Sequence, residues 1–221
     1  MALNAGMARP RPFIKWAGSK TKILKKLYEH VPEKFENYYE PFLGSGALFF
    51  YLIYKKGNHF KAYLSDINEE LINTFIVVRD HVDQLITLLK NHQKEYSKNP
   101  KKYYYYVRDK LDPKDRVERA ARVLFLNKTC YNGLYRVNRK GKFNVPFGRY
   151  KKPKICDEKT LRNASKALQM SNAEIRVLDY QIALKQAKKG DFVYLDPPYQ
   201  PINSTSNFTD YTQEGFSKED Q

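Results

Sequence analysis

The sequence has few of the residues that build metal sites or disulfide frameworks, and it has no membrane span. Its 221 residues include only 2 cysteines, Cys130 and Cys156, too few for a disulfide framework and without C-x-x-C spacing. The 4 histidines show neither H-x-x-H nor H-E-x-x-H spacing, so we interpret them as solvated side chains and expect no metal. No apolar run could span a bilayer, and residues 1–10 lack the apolar core of a signal peptide. These absences favour a cytoplasmic protein that does not bind a membrane.

Positive charge and aromatic side chains are abundant. There are 40 Lys and Arg against 24 Asp and Glu, which gives a formal net charge of +16, and 18 Tyr, 13 Phe and 1 Trp. Hydrophobic residues make up 42% of the chain, enough for a buried core. Lys and Arg neutralise phosphates and aromatic rings stack on bases. The composition therefore predicts a folded protein whose partner is a polyanion, with nucleic acid favoured over a membrane surface.

Short apolar runs and amphipathic stretches alternate in the first and last parts of the chain. Four segments are predicted to be strands: 38–41, 61–66, 174–177 and 191–195. Three amphipathic segments are predicted to be helical: 20–30, 47–55 and 182–188. Between these parts the pattern is mostly helical, and a polar segment that contains glycine follows at 132–153. We predict an α/β sheet domain formed by 1–75 and 168–221, with an inserted helical domain at 76–167.

A glycine-rich turn follows the first predicted strand. This glycine loop, Phe42-Leu43-Gly44-Ser45-Gly46, precedes a predicted helix, an arrangement that lets backbone N–H groups approach a ligand. Asp66 ends the next predicted strand, where a carboxylate can accept the hydroxyls of a ribose, and it is also a candidate N-cap of the following helix. The pair predicts a cofactor that contains ribose without identifying it.

Asp196-Pro197-Pro198-Tyr199 directly follows the last predicted strand, which we expect to be buried. Open α/β sheets place their chemistry at this end of a strand. Consecutive prolines lack N–H donors and leave carbonyl oxygens free, while Tyr199 offers an aromatic face. The Asp196 carboxylate and the Pro197 carbonyl can accept the two hydrogens of an exocyclic amine, which leaves the nitrogen lone pair free to attack. The segment predicts attack by an amine nitrogen on an electrophilic methyl group.

With these motifs in order, the chain resembles the Dam-type DNA adenine N6-methyltransferases, the D12 class that includes the DpnII-like enzymes. The matching segments are 13–20, 40–46, 65–68, 131–136, 143–150 and 196–199. The resemblance implies a Rossmann-like sheet that binds S-adenosylmethionine, an inserted target-recognition domain, and methylation of adenine in GATC after base flipping. One departure is Ser19, where the family usually has glycine. Ser19 is expected to be strained by about 1 kcal/mol if that position needs a positive φ.

The family's cofactor and catalytic residues match positions in this chain. The resemblance implies a cofactor site at Trp16, Lys20, Phe42, Gly44, Gly46 and Asp66, with Asp179 and Tyr180 near the adenine of the cofactor. It assigns catalysis to Asp196, Pro197 and Tyr199.

Residues 128–154, which we call the basic loop, carry nine Lys and Arg side chains interleaved with five aromatic residues. That density favours a surface that binds a duplex and extrudes a base. By the resemblance, Arg136 contacts a guanine edge, Leu134 and Pro146 contact a thymine methyl, and Tyr131 with Asn132 occupies the opened step. Lys15 would contact the first guanine, and Arg149 completes the expected DNA-binding set.

Two alternative functions remain open at this point. One is methylation of a different amine, on an RNA base or a protein. The other is a binding module, a truncated relative that holds DNA or cofactor with little activity. The truncation hypothesis arises because relatives continue with further helices and three strands beyond residues 216–221, which resemble a helix start. The resemblance also leaves room for a cognate restriction enzyme, and we expect a monomer.

Overall fold

The computed structural model describes residues 8–198 and contains a parallel β-sheet. Its strands are β1 (Asn37–Glu40), β2 (Lys61–Asp66), β3 (Glu174–Val177) and β4 (Phe192–Val193). Within the described residues the strand order is β3-β2-β1-β4, so β1 and β2 are central. Tyr39 of β1 is paired with Tyr63 on one side and Val193 on the other. The predicted α/β class is confirmed.

Eight α-helices flank or extend this sheet in the same range. They are α1 (Leu24–Tyr28), α2 (Ala47–Lys56), α3 (Glu69–Asp80), α4 (Val82–Lys98), α5 (Pro100–Asp109), α6 (Arg116–Thr129), α7 (Glu158–Met170) and α8 (Tyr180–Leu184). Side-chain caps explain several of the starts: Asn99 accepts from Lys102 N and precedes Pro100, and Asp115 accepts from Val117 N and Glu118 N. None of these helices combines the length and apolarity needed to cross a bilayer.

The buried core is continuous from the sheet to the helical insert. Helix α3 contacts β2 and β3 and also packs against α6 and α7. Apolar side chains of α2, α3 and α6 belong to one buried cluster. The predicted domain boundaries at 75/76 and 167/168 fall inside α3 and α7, so the division into two domains stays a prediction.

Three predicted elements differ from the observed ones. The 20–30 helix is interrupted at Ile23, whose φ of −112° separates a 3-10 turn (Lys20–Lys22) from α1. Helix α8 starts earlier than the predicted 182–188 segment because the Asp179 side chain accepts from Gln181 N and caps it. The fourth strand has only two residues and is half-buried, and Leu195 is 50% exposed. In the described part of the chain it pairs only with β1, and Pro197 and Pro198 offer no N–H to extend the ladder.

Aromatic side chains of α4 and α5 extend the core. Tyrosines 103–106 lie on α5 and divide between core and surface, with Tyr104 buried and Tyr106 51% exposed. The expectation that all histidines are solvated is wrong for His92, which stacks on Phe125 and is hydrogen-bonded to the Tyr103 hydroxyl. Burial lowers the pKa of His92 to about 4, so it is neutral at physiological pH. Within residues 8–198 no cluster of three or more His, Cys, Asp or Glu could hold a metal ion.

Candidate functional site

The glycine loop turns the chain sharply at the carboxyl end of β1. Gly44 and Gly46 have φ values of +48° and +64°, which a residue with a side chain rarely adopts. Space is limited as well, because a Cβ at Gly44 would lie 2.9 Å from Trp16 Cδ1. Gly46 N donates to Leu43 O at 2.7 Å and closes the turn that starts α2. Gly44 is therefore required both by its backbone conformation and by its close contact with the Trp16 indole.

Asp66, at the end of β2, lies directly beside the glycine loop. Its Oδ2 accepts from Gly44 N at 3.1 Å and its Oδ1 accepts from Asn68 N at 3.0 Å. The candidate role of Asp66 as helix cap is wrong, because Asn68 caps α3 by accepting from Leu71 N. Burial raises the pKa of Asp66 to about 6, against the opposing effect of these hydrogen bonds. The side chain is thus an acceptor whose charge depends on pH near neutrality.

Two aromatic rings meet at the glycine loop, that of Phe42 within the loop and that of Tyr180 on α8. The Phe42 and Tyr180 rings are stacked with centroids 5.3 Å apart, so two residues predicted to share a cofactor pocket lie together. Asp179 is adjacent, but its carboxylate accepts from Gln181 N at 2.8 Å as the cap of α8. The expected strain at Ser19 is absent, since its φ is −52° and the positive φ of +77° falls on Gly18. Ser19 Oγ instead lies 2.8 Å from Ser45 Oγ in the glycine loop.

Asp196, after β4, is paired with Lys20. Lys20 Nζ lies 2.6 Å from both carboxylate oxygens and also donates to Gly18 O at 2.9 Å. Both side chains are largely buried, 17% and 20% exposed. The structure therefore brings Lys20, predicted at the cofactor, to the predicted catalytic carboxylate. Pro197 follows in the described chain, whereas Tyr199 and the predicted loop and tail beyond it lie outside the described residues.

Glu40 is a buried carboxyl group that the sequence analysis did not select. It ends β1, is 3% exposed, and its Oε2 accepts from the Tyr38 hydroxyl at 2.8 Å. Burial raises its pKa to about 8, and the charges of Asp196 and Asp66 contribute in the same direction. Three carboxyl groups thus converge on one sheet edge. The position of Glu40 at the end of a predicted strand was the sequence signal that could have found it.

The basic loop is irregular and folds back on the end of α6. It begins with a 3-10 turn (Tyr131–Gly133) and has two isolated antiparallel bridges, Cys130 with Phe147 and Val137 with Phe143. Of the predicted DNA-binding residues, Leu134 is half-buried. The others are exposed on the basic loop or beside it: Lys15, Tyr131, Asn132, Arg136, Pro146 and Arg149. Asn132 has a φ of +54°, a conformation that asparagine tolerates better than most residues.

Arg136 is held along one edge of its guanidinium group. Nε donates to Asn144 Oδ1 at 2.8 Å, and Nη2 lies 3.4 Å from Asn144 O. No protein partner of Nη1 is found among residues 8–198, so the outer edge of the fork faces solvent with its donors available. This is the geometry needed for a bidentate contact with a base edge.

Buried residues of α5 and α6 anchor the loop, and the sequence analysis missed them. The Tyr104 hydroxyl and Arg108 Nη1 both donate to Val145 O, at 2.8 and 3.2 Å. Asn127 is 2% exposed; its Oδ1 accepts from Lys15 N, and its Nδ2 donates to Lys15 O and to Gly133 O. These anchors follow from tertiary packing, and only the helical position of Tyr104 was visible in the sequence.

Lys128 is a half-buried cation at the start of the loop. No hydrogen bond or ion pair is found for it in the described part of the chain. Burial, together with the neighbouring charges of Lys15 and Lys154, lowers its pKa to about 8 against the opposing effect of Asp157. An unpaired lysine in such surroundings is stabilised by any anion that approaches it.

Comparison with known proteins finds relatives over nearly the whole chain. The family model described as D12 class N6 adenine-specific DNA methyltransferase matches residues 16–221. The chain is 47% identical over 216 residues to Type II methyltransferase M1.LlaDCHI of Lactococcus lactis subsp. cremoris, covering 96% of this chain and 73% of that protein. It is 46% identical over 224 residues to Type II methyltransferase M.MjaIII of Methanocaldococcus jannaschii, covering 96% of this chain and 76% of that protein. A DNA adenine methylase of Serratia marcescens is 36% identical over 216 residues, covering 97% and 76%.

Proposed function

Because the chain belongs to the D12 class of N6 adenine-specific DNA methyltransferases, we propose that it transfers a methyl group from S-adenosylmethionine to adenine in GATC sites of duplex DNA. The observation that carries this proposal is the convergence of Asp66 and Asp196 near Glu40, at the sheet edge where the glycine loop begins and beside an exposed basic loop. One edge of the sheet offers acceptors for a ribose and for an amine. The adjoining surface offers cations and base-sized aromatic side chains.

The residues at the glycine loop suit the proposed cofactor. Gly44 lets the backbone of the loop pack closely against Trp16, Asp66 supplies an acceptor for ribose hydroxyls, and Phe42 with Tyr180 supplies flat apolar surface for an adenine ring. When bound, the cofactor supplies an electrophilic methyl group. Its sulfonium centre is cationic, and the Asp66 carboxylate, whose pKa is about 6, provides negative charge at this edge at neutral pH.

Asp196 and Pro197 are the proposed acceptors for the target amine. Lys20 holds the Asp196 carboxylate through both oxygens, and a carboxylate oxygen can accept more than one hydrogen bond. A second hydrogen bond to the Pro197 carbonyl would orient the N6 group and leave its lone pair free. In this arrangement Lys20 fixes the Asp196 carboxylate, so it is a positioning group for the acceptor.

The basic loop is proposed to select the site. Arg136 presents two donors to guanine, Leu134 and Pro146 contact a thymine methyl, and Tyr131 with Asn132 occupies the step left when adenine is flipped. Lys15 is proposed to contact the first guanine. Its Nζ lies 4.6 Å from the centre of the Tyr150 ring, so the side chain is already directed along the loop. Arg149 contributes to phosphate binding.

The biological setting follows from the substrate and from the relatives. We propose a monomer that acts on DNA in the cytoplasm, in association with the nucleoid. Two of the relatives are named Type II methyltransferases, which favours a cognate restriction enzyme as a partner.

The test is methyl transfer from labelled S-adenosylmethionine to three matched duplexes. One contains GATC, one contains its scrambled order, and one contains GATC already methylated at N6 on both strands. We expect label only in the first duplex, as N6-methyladenine. Transfer to RNA or protein would favour the alternative amine methyltransferase, and binding of both ligands without transfer would favour the non-catalytic alternative.

A further inference from the structure

Tyr135 lies in the basic loop but points away from the proposed DNA surface. Its neighbour Arg136 is exposed, whereas Tyr135 is half-buried, and burial raises the pKa of its hydroxyl to about 12. The ring stacks on Trp16 with centroids 5.3 Å apart and planes 29° apart. It also contacts Phe143 edge-on at 5.8 Å. The DNA-binding function described above gives this residue no role.

The Trp16 indole connects Tyr135 to the glycine loop. Its Cδ1 lies where even one additional carbon on Gly44 would not fit, so any shift of the indole is transmitted to the backbone of the loop. Gly44 N in turn donates to Asp66. Tyr135 is therefore one side chain removed from the backbone that is proposed to border the cofactor.

A second contact reaches the same pocket by another route. The Asn68 side chain lies close enough to the Tyr135 hydroxyl to oppose the effect of burial on its pKa. Asn68 N donates to Asp66 Oδ1 at 3.0 Å, and Asn68 Oδ1 caps α3. One side chain of the basic loop thus stacks on Trp16 and approaches Asn68, whose backbone N–H donates to Asp66. Trp16 precedes the glycine loop in the chain and Asn68 follows it. Trp16 lies against Gly44, and Asn68 is connected to Gly44 through Asp66.

The segment that carries Trp16 is fixed to the basic loop by its backbone as well. The Asn127 amide binds both backbone groups of Lys15 and the carbonyl of Gly133, at 2.8 to 3.0 Å. A Cβ at Gly133 would clash with the Lys15 side chain. Because Lys15 and Gly133 cannot move independently, a displacement of the loop near Leu134 also displaces Trp16.

We propose that Tyr135 is a positioning residue that couples DNA binding at the basic loop to cofactor binding at the glycine loop. The inference rests on the proposed function, since it takes duplex DNA and S-adenosylmethionine as the two ligands. DNA that engages Arg136 fixes the adjacent Tyr135 ring, the ring fixes Trp16 and Asn68, and the cofactor pocket is thereby held in its binding conformation. By reciprocity, cofactor binding strengthens DNA binding by the same factor.

The test measures the coupling directly. The affinity for S-adenosylhomocysteine, which cannot react, is determined by calorimetry with and without a saturating duplex, either GATC or scrambled. Four proteins are compared: the parent, Tyr135→Leu, Tyr135→Phe and the control Tyr106→Leu, which changes an exposed tyrosine on α5. Trp16 is the only tryptophan in the chain, so its emission reports on the stack in the same samples.

We expect the GATC duplex to increase the affinity of the parent about fivefold or more. In Tyr135→Leu the increase should fall below about twofold and the DNA-induced change in Trp16 emission should disappear. Tyr135→Phe keeps the stacked ring and should keep most of the coupling, and Tyr106→Leu should match the parent. Tyr135→Met, which has a similar reach without a ring, replaces the leucine variant if that variant does not unfold cooperatively.

Several results would overturn the inference. The inference is wrong if Tyr135→Leu shows the same coupling as the parent, or if Tyr106→Leu loses as much coupling as Tyr135→Leu. It is also wrong if the parent shows no coupling. Each of these results leaves the proposed function intact. Failure of the parent to bind S-adenosylhomocysteine at all would contradict the proposed function and this inference together.

Discussion

The glycine loop and the basic loop position their side chains in opposite ways. In the glycine loop the backbone determines the conformation. Positive φ values at Gly44 and Gly46, and a hydrogen bond from Gly44 N to Asp66, fix the turn where β1 ends. The basic loop has no regular structure of its own in the described chain. It is held by a few buried side chains, such as Tyr104 and Asn127, while its functional side chains are exposed.

This difference separates chemistry from selection. A group at the end of a strand is placed mainly by the sheet, so the basic loop can change cofactor affinity through the proposed Tyr135 contacts but does not supply the acceptors for the reaction. A group on the basic loop is placed by its anchors and is free to follow the DNA. Substitutions at the sheet edge should therefore abolish the reaction, whereas substitutions on the basic loop should change which duplexes react.

The largest expected effect is at Asp196. Asp196→Ala removes the acceptor proposed for the target amine and should lower methyl transfer at least about 100-fold. Affinity for S-adenosylhomocysteine should change little, because Asp66, and not Asp196, is the proposed acceptor for the ribose. Asp191→Asn serves as a matched control, since Asp191 only accepts from Asn37 Nδ2 and Lys188 N near β4. Equal losses of cofactor affinity and turnover would contradict this division of roles.

A smaller effect, on selectivity, is expected at Arg136. Arg136→Ala should reduce the preference for GATC over scrambled duplex by about 5- to 150-fold, the equivalent of about 1–3 kcal/mol for a bidentate base contact. Lys151→Ala is the comparison: it should weaken all duplexes alike and reduce the slope of log affinity against log salt by about 0.9. The measurement is a fluorescence titration over a range of salt concentrations. An unchanged sequence preference in Arg136→Ala would show that the basic loop does not select the site.

A third prediction uses the pKa of Asp66, which burial raises to about 6. Ribose hydroxyls are bound best by the ionised carboxylate, so cofactor binding lowers this pKa. Affinity for S-adenosylhomocysteine should then be constant above about pH 7 and fall about tenfold per pH unit below about pH 6. Asp66→Asn should bind more weakly at neutral pH and lose this dependence. Calorimetry between pH 5 and 8 checks it, and a parallel fall in both proteins would assign the effect to another group.

The smallest effect is expected at Lys128 in the basic loop, whose pKa burial lowers to about 8. DNA phosphates favour the charged form, so binding takes up a proton when the pH is above about 8. DNA affinity should accordingly fall several-fold between about pH 7.5 and 9.5. Lys128→Arg keeps its charge over this range and should show a smaller fall. Identical pH profiles would place Lys128 away from the phosphates.

The sheet edge could be predicted from the sequence because its signals are local. The glycine loop, Asp66 and Asp196 each follow a short apolar run, and parallel strands bring their carboxyl ends together. What the local signals could not supply was the partner of each group. Lys20 was assigned to the cofactor, yet its ammonium lies on Asp196, which is 176 positions away along the chain. Neither the Trp16–Tyr135 stack nor the anchors of the basic loop have a periodic signature, since they depend on tertiary packing.

The most direct test of the separation between chemistry and selection is a map of methylated adenines after a random-sequence duplex library is incubated with S-adenosylmethionine. The account predicts N6-methyladenine almost only in GATC for the parent chain, methylation spread over near-cognate sites for Arg136→Ala, and almost none for Asp196→Ala. Methylation by the parent without preference for GATC, or a map for Arg136→Ala that matches the parent, would contradict it.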